Sequence, residues 1–380
     1  MSTQPSQSAM VLTTWLGRGN FGGVLQAYAL QVALRSIGVR VITDNARPIV
    51  GSSRALGLLK ARISRLSRGF AITQGEALRR SQVELDRFVR EKIDTRPLYG
   101  IRRTPRLSDI SDVDTFIVGG DQVWRPNPWL DSYFLSFLSE YSNFRRIAYG
   151  VSFGTDSFTK QEYDRLASYR SLARRFSSIS VREVSGVRLC SELWDVSAQW
   201  VADPVLLLPA DYYRDIAASQ ITSSTKPKLL SYVLDASQQK RAIISVLSQD
   251  LHLPSISVCP QEVPSTRAFR QNPKQWMRPS MEKWLGEFAS SDFVVTDSYH
   301  GVILSLLFHK PFVAIGNSQR GMSRFESLLG HVGLSSRLVT DRSELSLPLA
   351  DIDWPTVQNS LDQLIKRGWT FLRHSLNVTN

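Results

Sequence analysis

Residues Met10–Thr43 read MVLTTWLGRGNFGGVLQAYALQVALRSIGVRVIT, and the order of features within them decides the fold. Met10–Leu16 is an apolar run of the kind that forms a strand. A glycine-rich turn follows, Gly17 to Gly23, with Arg18, Asn20 and Phe21 between its glycines. From Val24 to about Ile37 the pattern is helical, with Leu25, Ala29, Val32 and Leu34 among its apolar positions, and Gly38 is a good stop. Val39–Thr43 is a second short strand. Strand, glycine turn, helix and strand in this order make a βαβ unit, whose strands run parallel in one sheet.

The alternation continues outward. Asp114–Val118, Arg146–Val151, Ser178–Val181 and Gln199–Val201 read as strands, and Lys160–Ser171 and Ser185–Leu193 as helices. Pro209–Tyr213 reads as a linker, after which the rhythm restarts. Lys228–Leu234, Ser255–Val258, Phe293–Thr296 and Phe312–Ile315 are strands; Ser237–Gln249, Ser280–Ala289 and Gly301–Phe308 are helices. A last helix runs from about Pro355 to Leu372. Two successive alternations predict an α/β protein of two doubly wound, Rossmann-like lobes. The first is assigned to residues 1–208, with a basic helical insertion at about 51–106, and the second to 209–354. The C-terminal helix, within 355–380, is a candidate to pack back on the first lobe. Ligands of such sheets bind at the carboxyl ends of the strands, so the site is expected in the interdomain cleft.

Bulk composition agrees. A chain of 380 residues, 42% hydrophobic and 21% charged, supplies two cores and is too apolar to be disordered. The net charge of +12 is uneven: Gly51 to Arg106 holds 14 Lys and Arg against 5 Asp and Glu. One basic stretch suits an anionic surface, a phosphorylated substrate or a solvated helix pair better than nucleic acid. Cys190 and Cys259, far apart, make neither a disulfide framework nor a zinc pattern. The first ten residues lack a signal-peptide layout, and no apolar run approaches the ~18 residues that span a bilayer. A cytoplasmic protein is expected.

Gly17-x-Gly19-x-x-Gly22 matches the dinucleotide fingerprint, with Asp44 at the end of the next strand. A lone match is weak, and no second nicotinamide feature follows. The reading preferred here is an anion or substrate site at the helix start, with a ligand-free tight turn as the alternative.

Asn20-Phe21-Gly22-Gly23-Val24-Leu25-Gln26-Ala27-Tyr28-Ala29-Leu30 resembles the opening block of the polysaccharide pyruvyltransferase family. Four more blocks agree in the family's order: Ile117 to Trp124 (IVGGDQVW), Ser180 to Glu183 (SVRE), Asp203-Pro204-Val205, and Thr296 to Gly301 (TDSYHG) with Lys310-Pro311-Phe312-Val313. The resemblance implies a two-lobed, GT-B-like fold. It also implies transfer of a pyruvyl group from phosphoenolpyruvate to a sugar, usually as a cyclic ketal, in the making of exopolysaccharide, capsule or wall polymer. Phosphoenolpyruvate is then a co-substrate, and neither a cofactor nor a metal is expected.

That chemistry needs a proton donor, a base for hydroxyls, and cations for carboxylate and phosphate. His300 follows the strand Phe293–Thr296 and titrates near neutrality, so it is the first acid/base candidate. Asp297 is read as its partner, or else as the cap of the following helix. Arg182 ends a strand and offers a guanidinium fork for a carboxylate or phosphate; the alternative is an ion pair with Glu183 or another acid. Arg320, Arg324, Lys310 and Ser298 complete the donor candidates, Ser298 standing where some relatives carry an arginine. Asn20, Gly22, Gln26, Asp121, Gln122 and Trp124 are candidates for the acceptor or the cleft, Trp124 either stacking on a sugar or anchoring the core. His309 reads as structural.

Leu56, Leu59, Ile63, Leu66 and Phe70 form one apolar stripe, flanked by Arg54, Lys60, Arg62, Arg65 and Arg68. Such a helix, 54–70, either packs on the first lobe or meets an anionic membrane, as a lipid-linked oligosaccharide acceptor would favour. Two rival functions share this layout: a GT-B-type nucleotide-sugar glycosyltransferase, and a non-catalytic sugar-binding protein.

Overall fold

In the computed structural model, residues 7–17, 19–46, 74–98, 105–220, 226–259, 265–316 and 321–378 are described. The first glycine turn separates β1 (Ser8–Leu12) from α1 (Phe21–Ser36). The helix begins at Phe21 rather than Val24 because Asn20 caps it: the side-chain Oδ1 accepts the N–H of Gly23 at 3.0 Å. Every residue of β1 is buried, as expected of a strand covered on both faces.

Six more strands join β1: β2 (Arg40–Asp44), β3 (Thr95–Arg96), β4 (Thr115–Val118), β5 (Arg145–Val151), β6 (Ser178–Val181) and β7 (Gln199–Trp200). They form one parallel sheet in the order β3-β2-β1-β4-β5-β6-β7. Met10 sets the central register, opposite Ile42 on one side and Phe116 on the other. The second sheet is also parallel: β8 (Leu229–Tyr232), β9 (Ser255–Ser257), β10 (Phe293–Thr296), β11 (Phe312–Ile315) and β12 (Leu338–Val339), in the order β12-β11-β10-β8-β9. Both are doubly wound orders, so the chain is a two-lobed, GT-B-like α/β protein. Each sheet has one switch point, between β1 and β4 in the first and between β8 and β10 in the second, where a crevice opens at the carboxyl ends.

The helices that position the site are α2 (Gln74–Ser81), α3 (Val83–Lys92), α4 (Val184–Trp194), α5 (Ala210–Ala217), α6 (Met281–Ser290), α7 (Tyr299–Leu307), α8 (Ser323–His331) and α9 (Trp354–Leu376). Pro209–Tyr213, expected as a linker, opens α5 instead, because Pro209 is well suited to a helix start. Tyr213 is buried and its hydroxyl donates to the Val205 carbonyl at 2.7 Å, while α5 packs on α6. The last helix lies across both halves. Arg145 donates to the Ser375 carbonyl at 3.1 Å, and Trp354 stacks on His309 with ring centroids 4.9 Å apart. The basic helix at 54–70 lies outside the described residues. Among the described residues, no helix is long and apolar enough to cross a membrane.

Trp124 is a core anchor, which corrects its place among the acceptor candidates. Its ring is fully buried, stacks on Phe134 at 5.3 Å, and meets Trp194 and Phe153 edge-on at 5.0 and 5.7 Å. It is not among the residues that line the cavity between the lobes. Replacing Trp124 with Ala should cost about 3–5 kcal/mol, read as an earlier denaturant midpoint for the first lobe. An unchanged midpoint with impaired ligand binding would return Trp124 to the site.

Candidate active site

The two switch points face each other across a cavity of about 130 Å³. The first lobe contributes Gly19, Asn20, Phe21 and Gly22 from the turn after β1, and Asp121 and Gln122 from the turn after β4. The second contributes Tyr232 and Leu234 after β8, Asp297, Ser298, Tyr299 and His300 after β10, and Arg324 and Phe325 from α8. A larger groove, about 600 Å³, runs beside α2 past Arg79, Arg90 and Phe269, away from both switch points.

His300 lies in the first turn of α7, whose cap is Ser298: the Ser298 hydroxyl accepts the Gly301 N–H at 3.4 Å. The imidazole is almost wholly buried and packs against the start of α1. Any side chain at Gly22 would run into its ring, so glycine there is a requirement of close approach. Among the described residues, Nε2 has no hydrogen-bond partner, and the nearest acid is Asp203, with Oδ2 at 3.7 Å. Burial pulls the imidazole below its ordinary value, against the opposing charges of Asp203 and Asp121. The positive end of the α7 dipole acts in the same direction as burial. Burial thus favours the neutral imidazole, the form that can accept a proton.

Beneath the cavity runs a buried chain of charges. Arg182 Nη1 donates to Asp203 Oδ2 at 2.7 Å, and Nη2 pairs with Asp121. Arg324 of the second lobe donates to the same Asp121 oxygen at 2.5 Å. Tyr299 lies between the two arginines, with guanidinium carbons 5.0 and 5.5 Å from its ring centre. Burial opposes ionisation of Asp121, but Arg324 and Arg182 outweigh it and hold the carboxyl well below the usual range. Burial likewise works against the charge of Arg182, and Asp121 and Asp203 overcome it. Glu183 next to it is pushed up by burial and accepts the Phe153 N–H at 2.6 Å.

Several expectations change here. Arg182 has a fully buried side chain engaged by Asp121 and Asp203, so the alternative of an ion pair with another acid is the one seen, with aspartates in place of Glu183. Asp297 neither orients His300 nor caps α7. It accepts the N–H groups of Leu234 and Asp235 at 2.7 and 3.1 Å and pairs with Lys240 at 2.6 Å, tying β8 to β10. Gln26 does not line the cavity; its Nε2 donates to Asp203 Oδ2 at 2.9 Å. Lys310 precedes β11 and so lies at the amino edge of the sheet, with Asp292 and Lys228 as charged neighbours, on the side away from the cleft. Gln122 lines the cavity with φ of 54° and accepts from Arg125 at 2.9 Å. Arg320 lies outside the described residues. Asp203 was visible within Asp203-Pro204-Val205, but local sequence does not connect it to His300. Among the described residues, no three His, Cys, Asp or Glu side chains are grouped as a metal would need.

The family model for polysaccharide pyruvyl transferase matches residues 20–319, and the chain belongs to that family. A sequence comparison with curated proteins finds no match. Among solved structures, it is similar to the UDP-GlcNAc 2-epimerase of Neisseria meningitidis, at 11% identity over 98% of this chain and 95% of that one, with a TM-score of 0.49. A putative UDP-N-acetylglucosamine 2-epimerase from Listeria monocytogenes is 10% identical over 99% and 93%, with a TM-score of 0.49. An alpha-glucosyltransferase in complex with UDP is 9% identical over 98% and 95%, with a TM-score of 0.48.

The position of His300 beside Asp203 yields a sign. Removing the Asp203 charge by Asp203→Asn takes away an interaction that favours imidazolium and leaves Arg182 less compensated. The His300 resonance, followed by NMR in labelled protein, should then titrate at lower pH than in the wild type. An unchanged or higher midpoint would show that Asp203 does not act on the imidazole.

Proposed function

We propose that this protein transfers the pyruvyl group of phosphoenolpyruvate to a sugar, free or lipid-linked, and closes a cyclic ketal during assembly of a cell-surface polysaccharide. The observation that carries the proposal is His300: a buried imidazole between two switch points, in a chain of the pyruvyl transferase family. Phosphoenolpyruvate is a cytoplasmic metabolite, so the reaction is placed in the cytoplasm.

In the proposed sequence His300 accepts the proton of one sugar hydroxyl and gives it to C3 of the donor, making the methyl group. The hydroxyl oxygen bonds to C2, which carries oxocarbenium character. The second hydroxyl oxygen then bonds to C2, the C2–O bond to phosphate breaks, and the second hydroxyl proton leaves with the phosphate. Two hydroxyl protons are thus accounted for, one on carbon and one on phosphate, and no electrons are gained or lost. The free N–H groups at the start of α1 face the anionic donor, and Asp121 and Gln122 are proposed to meet acceptor hydroxyls.

A ligand that binds only the folded state raises the melting temperature. Phosphoenolpyruvate should raise it in the wild type and in His300→Ala alike, while transfer by His300→Ala falls by about 10²–10⁴-fold. A rise with nucleotide sugars alone would replace the donor and favour a glycosyltransferase.

A further inference from the structure

The cations already described around the cavity are committed. Arg182 and Arg324 pair with Asp121, and Lys240 pairs with Asp297. A phosphorylated carboxylic acid entering this site needs a positive charge that is not already neutralised. One such charge lies at the edge of the cavity, on Arg278, a residue that no motif singles out.

Arg278 stands in the short stretch before α6, where Ser280 caps that helix. Its backbone N–H donates to the Ser81 carbonyl at the end of α2, at 2.8 Å, which fixes the stretch against the helices that follow β2. Its guanidinium lies directly on Gly19, a cavity residue with φ of 69°. A side chain at Gly19 would collide with the guanidinium, and the left-handed backbone there also favours glycine. On the other wall the charge of Arg278 acts on the hydroxyl of Tyr232, another cavity residue. Among the described residues the guanidinium has neither a carboxylate partner nor a hydrogen bond, and the side chain is half-buried. Ser298, inside the cavity, brings no charge.

We propose that Arg278 is the phosphate ligand of this site, gripping the donor's phosphate at the rim while the reacting carbon lies toward His300. The assignment rests on the proposed donor, and its chemistry is that of a guanidinium fork on a phosphate. It places the leaving group on the half-exposed side, where free phosphate can depart. The neighbouring α1 start adds backbone N–H groups to the same anion.

Equilibrium dialysis of the full chain with labelled phosphoenolpyruvate tests the assignment, with inorganic phosphate and pyruvate as separate competitors. Arg278→Ala should weaken phosphoenolpyruvate binding about 10- to 100-fold and abolish competition by phosphate. Competition by pyruvate should persist at its wild-type concentration. Arg278→Lys, which keeps the charge without the fork, should recover part of the loss. Unliganded melting temperatures of both variants should match the wild type, which separates lost binding from lost folding. Wild-type affinity in Arg278→Ala overturns the assignment while leaving the donor in place. Loss of pyruvate competition instead of phosphate competition also overturns it, since the arginine then holds the carboxylate. A wild type that ignores phosphoenolpyruvate but binds a nucleotide sugar through Arg278 overturns the donor and upholds the phosphate ligand.

Discussion

Two arginines and two aspartates, all buried except Asp121 at the cavity wall, neutralise one another, and the geometry of the site depends on that. Arg182 holds Asp203 and Asp121, and Arg324 reaches from the second lobe to the same Asp121. Burying such charges is costly, and removing any one partner leaves an uncompensated charge, typically about 3–5 kcal/mol worse. Loss of any one of the four is therefore expected to lower stability. Because Arg324 belongs to α8 and Asp121 follows β4, the same contact fixes the distance between the two switch points. His300, whose nearest acid is Asp203, takes its place from this arrangement and from the glycine that lets α1 approach its ring.

The fold was legible because its signals are local. β6, β10 and β11 begin and end where the apolar runs do, and α1 differs from expectation only through the cap at Asn20. The short strands β3 and β12 were not foreseen, since two residues at a sheet edge carry no periodicity. The site was legible in part. Asn20, Gly22, Asp121, Gln122, Ser298, His300 and Arg324 converge on one cavity, because all follow strand ends or start helices at the switch points. What sequence could not resolve is direction. Trp124 follows Asp121 closely yet turns into an aromatic core, and Lys310 is near His300 in sequence but one helix away, at the opposite edge of the sheet. Asp297 and Arg182 sit at the expected strand ends, but their charges are spent on other protein groups.

Partner choice among charged residues explains most of these reversals. An arginine beside a cleft looks the same in sequence whether an aspartate or a ligand neutralises it, and only tertiary structure distinguishes Arg182 from Arg278. The same holds for the acids: Asp203 became visible as the neighbour of His300 only through the fold. Family membership then narrows the chemistry.

On the proposed reading, this cavity moves a three-carbon group from phosphoenolpyruvate to a sugar. Its most direct test is to incubate the wild-type protein with phosphoenolpyruvate and a panel of saccharide acceptors, following phosphate release and acceptor mass together. Phosphate should appear only with a productive acceptor and in equal amount to a carboxyethylidene-bearing product. Release of a nucleoside diphosphate from a nucleotide sugar, with phosphoenolpyruvate left intact, would contradict it.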